Sequence, residues 1–216
     1  RIFDAADAMA AELGMTSADR RAIVLAHEDW HAGVVGIVCS RLVEKHCRPV
    51  ILMNRKDGVC HGSGRSIEGF NLHAALVHCA DHLDRYGGHN MAAGLHLIEP
   101  KLGAFTDAFI DYASAAIEAE DMCRWLTVDC EAGLDELDAE TVLGLGALEP
   151  CGAGNPDAQV LLRGCIVADR PMPLGTQAKH LAVQLRSDSG RRLRAVAWGF
   201  GEHRDRFVTG SKIDLV

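Results

Sequence analysis

The chain has 216 residues, is 48% hydrophobic and carries a formal net charge of −8 at pH 7. That is enough apolar content to core one large or two small domains, and two is the reading adopted. No apolar run approaches the roughly 20 residues that a membrane-spanning helix needs, and Arg1-Ile2-Phe3-Asp4 lacks the pattern of a signal peptide. The chain reads as a fragment without membrane contact.

Eight cysteines are scattered without a Cys-x-x-Cys pair. Cys39, Cys79 and Cys165 sit in apolar runs, where a free thiol behaves as a small hydrophobe. This usage indicates a cytoplasmic protein with neither a disulfide framework nor a zinc site.

In chain order, Phe3–Leu13 predicts a helix ended by Gly14, with Ser17 capping a further turn. Ala22–Ala26 predicts a buried strand. Helical periodicity runs from Gly33 until Pro49 forbids it. Val50–Met53 predicts a second strand, Lys56-Asp57-Gly58 a hairpin turn, and Val59–Gly62 a strand delivering Arg65. Asn71 can cap the next helix, in which Leu72, Ala75, Leu76, Cys79 and Leu83 share a face. His78 and His82 on that helix have the spacing of a metal-binding pair, but no third ligand accompanies them, and they read as surface histidines. Ala93–Ile98 predicts a strand, and Leu102 to Ile117 an amphipathic helix closing the first domain near Glu120. Strand and helix alternation gives an α/β layer fold over 20–120.

Beyond it, 125–131 alternates as a strand, 134–148 is helical, and Pro150–Pro156 is a rigid Gly/Pro turn. The segments 160–167, 180–185 and 193–198 read as strands of a small barrel. Residues 158–212 hold ten Lys/Arg against four Asp/Glu, so the acids concentrate earlier. This excess points to a basic working face or to an ordinary solvated strand surface.

Two Gly-bounded stretches organise the rest: Gly62-Ser63-Gly64-Arg65-Ser66 and Gly87-Gly88-His89-Asn90-Met91-Ala92-Ala93-Gly94. In the first, glycines reaching positive φ would let successive N–H groups converge as an anion nest beside the planar fork of Arg65. In the second, Gly87 and Gly88 would end the preceding helix and leave His89 exposed on a turn. Ser63 and Ser66 either donate to a bound anion or cap the turn.

Gly-Gly-His followed by Ala92-Ala93-Gly94 resembles the Gly-Gly-His motif of the domain that follows the catalytic domain in DHH-family phosphoesterases. Trp30–Leu42, Arg48-Pro49-Val50 and Gly62–Ile67 are similar to one branch in particular, the RecJ-like single-strand-specific exonucleases. The likeness covers roughly residues 20 to 160. It implies the tail of an interdomain helix (1–20), a DHH-associated α/β substrate-binding lobe (21–120) and an OB-type β-barrel (121–216). The Pro150–Pro156 turn resembles one expected in that last module, with Cys151 where an aromatic is usual and Ala158 where a second proline would be.

The resemblance further implies 5′–3′ degradation of single-stranded DNA in repair and recombination. Arg65 and His89 would act at the scissile phosphate, with Gly62, Ser63, Gly64, Ser66, Gly87, Gly88 and Asn90 shaping the site. Mn2+ or Mg2+ would be held by a separate domain, whose Asp-His-His cluster is not in this sequence, so the chain alone is expected to be inactive. In the barrel, Arg191, Arg192, Arg194 and Trp198 would follow single-stranded DNA by charge and stacking. Two alternatives are a DHH-family phosphatase of nucleotides or short oligonucleotides, and an RNA-binding module like the terminal domain of alanyl-tRNA synthetases.

Overall fold

The computed structural model describes residues 1–152 and 154–216. They form two compact units, Arg1–Trp125 and Leu126–Val216.

The first unit is built on strands β1 (Ile23–His27), β2 (Val50–Lys56), β3 (Val59–Arg65), β4 (Arg85–Gly88) and β5 (Ala92–Ile98), ordered β1-β2-β3-β5-β4. Its helices are α1 (Ile2–Glu12), α2 (Ala32–His46), α3 (Leu72–His78) and α4 (Leu102–Ala116). β1 and β2 are parallel and therefore need a crossover, which α2 supplies; the other pairs are antiparallel.

Both faces of β1 and β2 are covered, which explains their unbroken apolar runs. Ile23, Leu25, Val50 and Leu52 pack with Ala6 and Ala10 of α1 and Val35, Val38 and Leu42 of α2. Val24, Ile51 and Met53 point the other way, into a cluster with Leu72 and Leu76 of α3 and Phe105 and Phe109 of α4. Local chemistry sets the element ends. The His31 ring accepts from Gly33 N–H, Asn71 Oδ1 accepts from Ala74 N–H at 2.9 Å, and Cys47 closes α2 at φ 50°. Asp57 (φ 54°) and Gly58 (φ 76°) make the β2–β3 hairpin.

Several expectations are corrected. Gly87 and Gly88 do not end a helix: α3 stops at His78, one 3₁₀ turn covers Ala80–His82, and the chain enters the sheet edge when Asp84 N–H donates to His96 O. A single turn does begin at Ser17, whose carbonyl accepts from Arg20 N–H, but the Ser17 hydroxyl donates to Gly14 O and Asp19 and does not cap it. His82 has left the helix of His78, whose ring packs on Tyr112 at 4.9 Å.

The second unit contains β6 (Cys130–Ala132), α5 (Ala139–Leu145), β7 (Val160–Val167), β8 (Met172–Leu174), β9 (His180–Arg186), β10 (Arg192–Ala197) and β11 (Lys212–Leu215). The sheet path is β10-β9-β7-β11, with β6 added to β7 and β8 to β9. The expected barrel is therefore not closed by strand pairing among the described residues, because β10 and β11 each end the path. The strand expected from residue 125 is confined to Cys130–Ala132, and Trp125 is 79% exposed. Leu162, Val167, Leu181, Val183 and Leu185 form the core. In the Gly/Pro turn, Asn155 Nδ2 donates to Leu148 O and Pro150 O at 2.9 and 3.0 Å, while Ala153 lies outside the described residues.

Candidate nucleic-acid interface

Strand alternation divides the Gly-Ser-Gly-Arg stretch between the two faces of the first sheet. Gly62 and Gly64 face the α3/α4 side, where a Cβ would stand 2.6 Å from Met53 Cγ and 3.0 Å from Leu72 Cδ2 respectively. Neither has positive φ. They are glycines because the core is close-packed there, and the anion nest expected from the sequence does not form.

Ser63 and Arg65 face the α2 side. Gly36 of α2 makes room for them, since a Cβ there would lie 3.2 Å from Arg65 Nη2 and 3.7 Å from Ser63 Oγ. Arg65 Nη1 donates to Gly64 O at 2.8 Å, and the guanidinium has no carboxylate partner among the described residues. Cys39 Sγ donates to Ser63 O at 3.2 Å, and burial pushes this thiol up to about 12, so it is a neutral packing group.

Arg65 pairs with Ala92 of β5, and His89 N–H donates to Ala92 O at 2.8 Å. The backbone thus sets Arg65, Ala92 and His89 in one row across β3, β5 and the residue that follows β4, about 10 Å from end to end. The next row on the same face is Ser63, Gly94 and Gly87. A Cβ at Gly87 would meet nothing within 4 Å, and one at Gly94 only Gly62 O at 3.9 Å. Neither has positive φ.

A glycine inside a strand costs about 0.5–1 kcal/mol relative to alanine. At Gly62 and Gly64 packing explains it, and at Gly88 both φ 144° and overlap with Ala92 O and Ala93 Cα do. At Gly87 and Gly94 nothing inside the unit requires it. What these two positions provide is an open trough beside Arg65 and His89, the feature of a strand that another backbone or a ligand approaches closely.

Two further polar residues of these stretches differ in exposure. Ser66 is buried, with Oγ donating to Phe70 O at 2.8 Å and N–H to Met91 O at 3.0 Å, so it holds the turn. Asn90 is exposed, while its carbonyl accepts from Leu72 N–H at 3.0 Å.

In the second unit, half of the ten Lys/Arg of 158–212 are engaged within the unit. Arg191 donates to Asp135 O and Leu137 O at 2.8 and 2.6 Å, so it ties two segments together. Arg192 pairs with Asp169 at 3.3 Å, Arg163 with Glu131 and Asp214, and Lys212 with Asp188. Arg194, Val196 and Trp198 stand on the outer face of the β10 segment, where Trp198 is 70% exposed with its ring 4.8 Å from His180. Among the described residues, no group of three or more His, Cys, Asp or Glu side chains could hold a metal ion.

The comparisons with known proteins agree with this two-unit organisation. Residues 19–115 match the DHHA1 domain family and residues 128–216 the RecJ OB domain family. The class is thus a DHHA1 domain followed by an OB domain. The single-stranded-DNA-specific exonuclease RecJ of Bacillus subtilis is 34% identical over 200 residues, 92% of this chain and 25% of that protein. The RecJ of Thermus thermophilus is 34% identical over 184 residues, 85% of this chain and 25% of that protein. The crystal structure of Thermus thermophilus RecJ in complex with Mg2+ superposes with a TM-score of 0.70 at 34% identity, covering 89% of this chain and 29% of that one. The chain belongs to the RecJ-like family, and it spans about a quarter of the length of these relatives.

Proposed function

We propose that this chain is the substrate-binding part of a RecJ-like exonuclease that degrades single-stranded DNA in the 5′–3′ direction, in DNA repair and recombination. The observation that carries the reading is the open floor at Gly87 and Gly94, bordered by Arg65 and His89. A phosphate over that floor receives the two-pronged donor of Arg65 and the imidazole of His89, and charge that develops during hydrolysis is stabilised there. Ser63 Oγ supplies a further donor from the same face. The metal chemistry, by Mn2+ or Mg2+, belongs to a separate domain, so these residues alone release no nucleotide. Mn2+-dependent hydrolysis by the purified chain would contradict that division.

The second unit is read as an OB-type module that follows the strand. Its two path ends, β10 and β11, line one cavity of about 440 Å3 together with Phe200 and Phe207, as a barrel wall that curves round would do. Arg194 and Trp198 are the contacts it offers. This extension of about a hundred residues, matching a RecJ OB domain, favours the nuclease reading over a small-nucleotide phosphatase.

Titrating the 216-residue chain with a labelled 5′-phosphorylated oligonucleotide at several salt concentrations tests the proposal. If about four phosphates are neutralised, log K should fall against log salt with a slope of about −3. Arg65→Ala should weaken binding. A flat salt response, or an unchanged affinity in Arg65→Ala, would overturn the reading.

A further inference from the structure

Beyond the Arg65 and Gly94 rows, the same open face carries a third row that the clamp does not use. His61 of β3 pairs with His96 of β5, and His96 pairs with Arg85 of β4. His61 and Arg85 are exposed, and the two imidazoles meet edge to face at 4.4 Å. With Gly87 and Gly94 these three residues line a shallow cavity of about 390 Å3. The nearby carboxylate is Asp84, 3.5 Å from His96 Nδ1 and itself approached by Lys101 Nζ at 3.9 Å. Arg85 and Lys101 therefore outweigh it in charge. His96 Nδ1 is buried and faces Asp84 without a hydrogen bond, so His61 and Arg85 are the exposed donors of the row.

Resting on the function proposed above, we infer that His61, His96 and Arg85 form a second phosphate subsite of the trough, two linkages along from the phosphate held by Arg65 and His89. Same-face rows on a strand are two residues apart, about 6.6 Å, so the two cationic rows lie about 13 Å apart with the glycine row halfway. An extended single strand laid across the rows sets one phosphate at Arg65 and the next beside Ser63, over the open floor of Gly94 and Gly87. Its third phosphate reaches Arg85 and His61. The glycine floor then has a second purpose, because it lets the strand lie flat between two points of attachment. The subsite reads backbone charge and carries no base preference.

A length series decides it. The 216-residue chain is titrated with thymidine 5′-monophosphate and with 5′-phosphorylated oligothymidylates of two, three and four residues. Affinity should step up by about tenfold when the third phosphate is added, the scale of one charge-assisted contact. The double variant Arg85→Ala, His61→Thr should remove that step and leave monophosphate affinity unchanged, which also shows that the unit is folded. A smooth rise without a step, or a step that persists in the double variant, overturns the subsite while leaving the clamp intact. Loss of monophosphate binding in the double variant shows that the two rows are one site and overturns the subsite as a separate one. Monophosphate binding that is absent or indifferent to Arg65→Ala overturns the clamp, and the subsite with it.

Discussion

Arg65 in the first unit and the engaged arginines of the second hold their charge in opposite ways. In the first, Arg65 makes a single bond to Gly64 O and lies beside a floor that carries no side chains. In the second, within the locally basic window 158–212, Arg163, Arg192 and Lys212 face carboxylates, and Arg191 and Arg204 donate to backbone carbonyls. A local charge excess thus measures neither free charge nor binding capacity. What marks a cationic site is the lack of an internal partner combined with room for an external one.

The sharpest way to break this comparison is to remove one arginine from each unit. In an enzyme that joins this chain to a metal-bearing domain, Arg65→Ala should lower single-turnover hydrolysis by about 10²-fold, the scale of a lost transition-state donor. Arg191→Ala should leave the chemical step nearly untouched and instead destabilise the second unit by about 2 kcal/mol, since two hydrogen bonds from a charged group are lost. Urea denaturation of the 216-residue chain measures this, and Arg194→Ala, which removes no internal bond, should stay within about 0.5 kcal/mol of the parent. Equal destabilisation by both variants would erase the distinction between engaged and free cations.

A smaller effect sharpens the comparison from the other side, because the first unit also uses charge structurally. Asp7 of α1 meets Lys45 Nζ at 2.6 Å and His46 Nε2 at 2.7 Å on α2. Partial burial works against ionisation, but the hydrogen bonds and charges of Lys45 and His46 outweigh it and hold the Asp7 carboxyl below its ordinary 3.8. A depressed carboxylate stabilises the fold above its unfolded value and loses that contribution as the pH falls through the folded one. Asp7→Asn should therefore cost about 0.5–1 kcal/mol near neutrality, and the difference from the parent should disappear below the ordinary carboxylate range in pH-dependent thermal melts. A difference that persisted in acid would mean that the cost is not electrostatic.

Much of the fold was legible because burial on two faces writes itself into composition. Val50-Ile51-Leu52-Met53 is apolar at every position since α2 covers one side and α3 and α4 the other. Asn71 and Asp57-Gly58 act as cap and turn through local chemistry alone. The site was legible in its residues but not in its architecture. A glycine in a strand and a glycine in a loop are the same letter, so Gly62 and Gly64 read as nest-formers when packing against Met53 and Leu72 is what requires them.

Register was invisible as well. That Ser63, Gly94 and Gly87 form one row, and His61, His96 and Arg85 the next, depends on pairings between segments far apart in the chain. The same holds for Arg191, whose acceptors lie 54 and 56 residues away and leave no trace in its local sequence. The open edges of the second sheet were hidden for the same reason, because strand periodicity identifies strands and says nothing about whether the last pairs with the first.

The central claim is that Gly94 and Gly87 are glycines on behalf of a ligand and not of the fold. Gly94→Val tests it most directly, since its Cβ would meet only Gly62 O at 3.9 Å and valine suits a strand better than glycine does. Thermal stability and affinity for a 5′-phosphorylated oligonucleotide should be measured on the same 216-residue variant. The account predicts a melting temperature equal to or above that of the parent, together with affinity reduced by about 10-fold or more, as a filled trough displaces a charge-assisted phosphate contact. Parental affinity in a variant of parental stability would contradict it, because the trough would then be empty space that no ligand occupies.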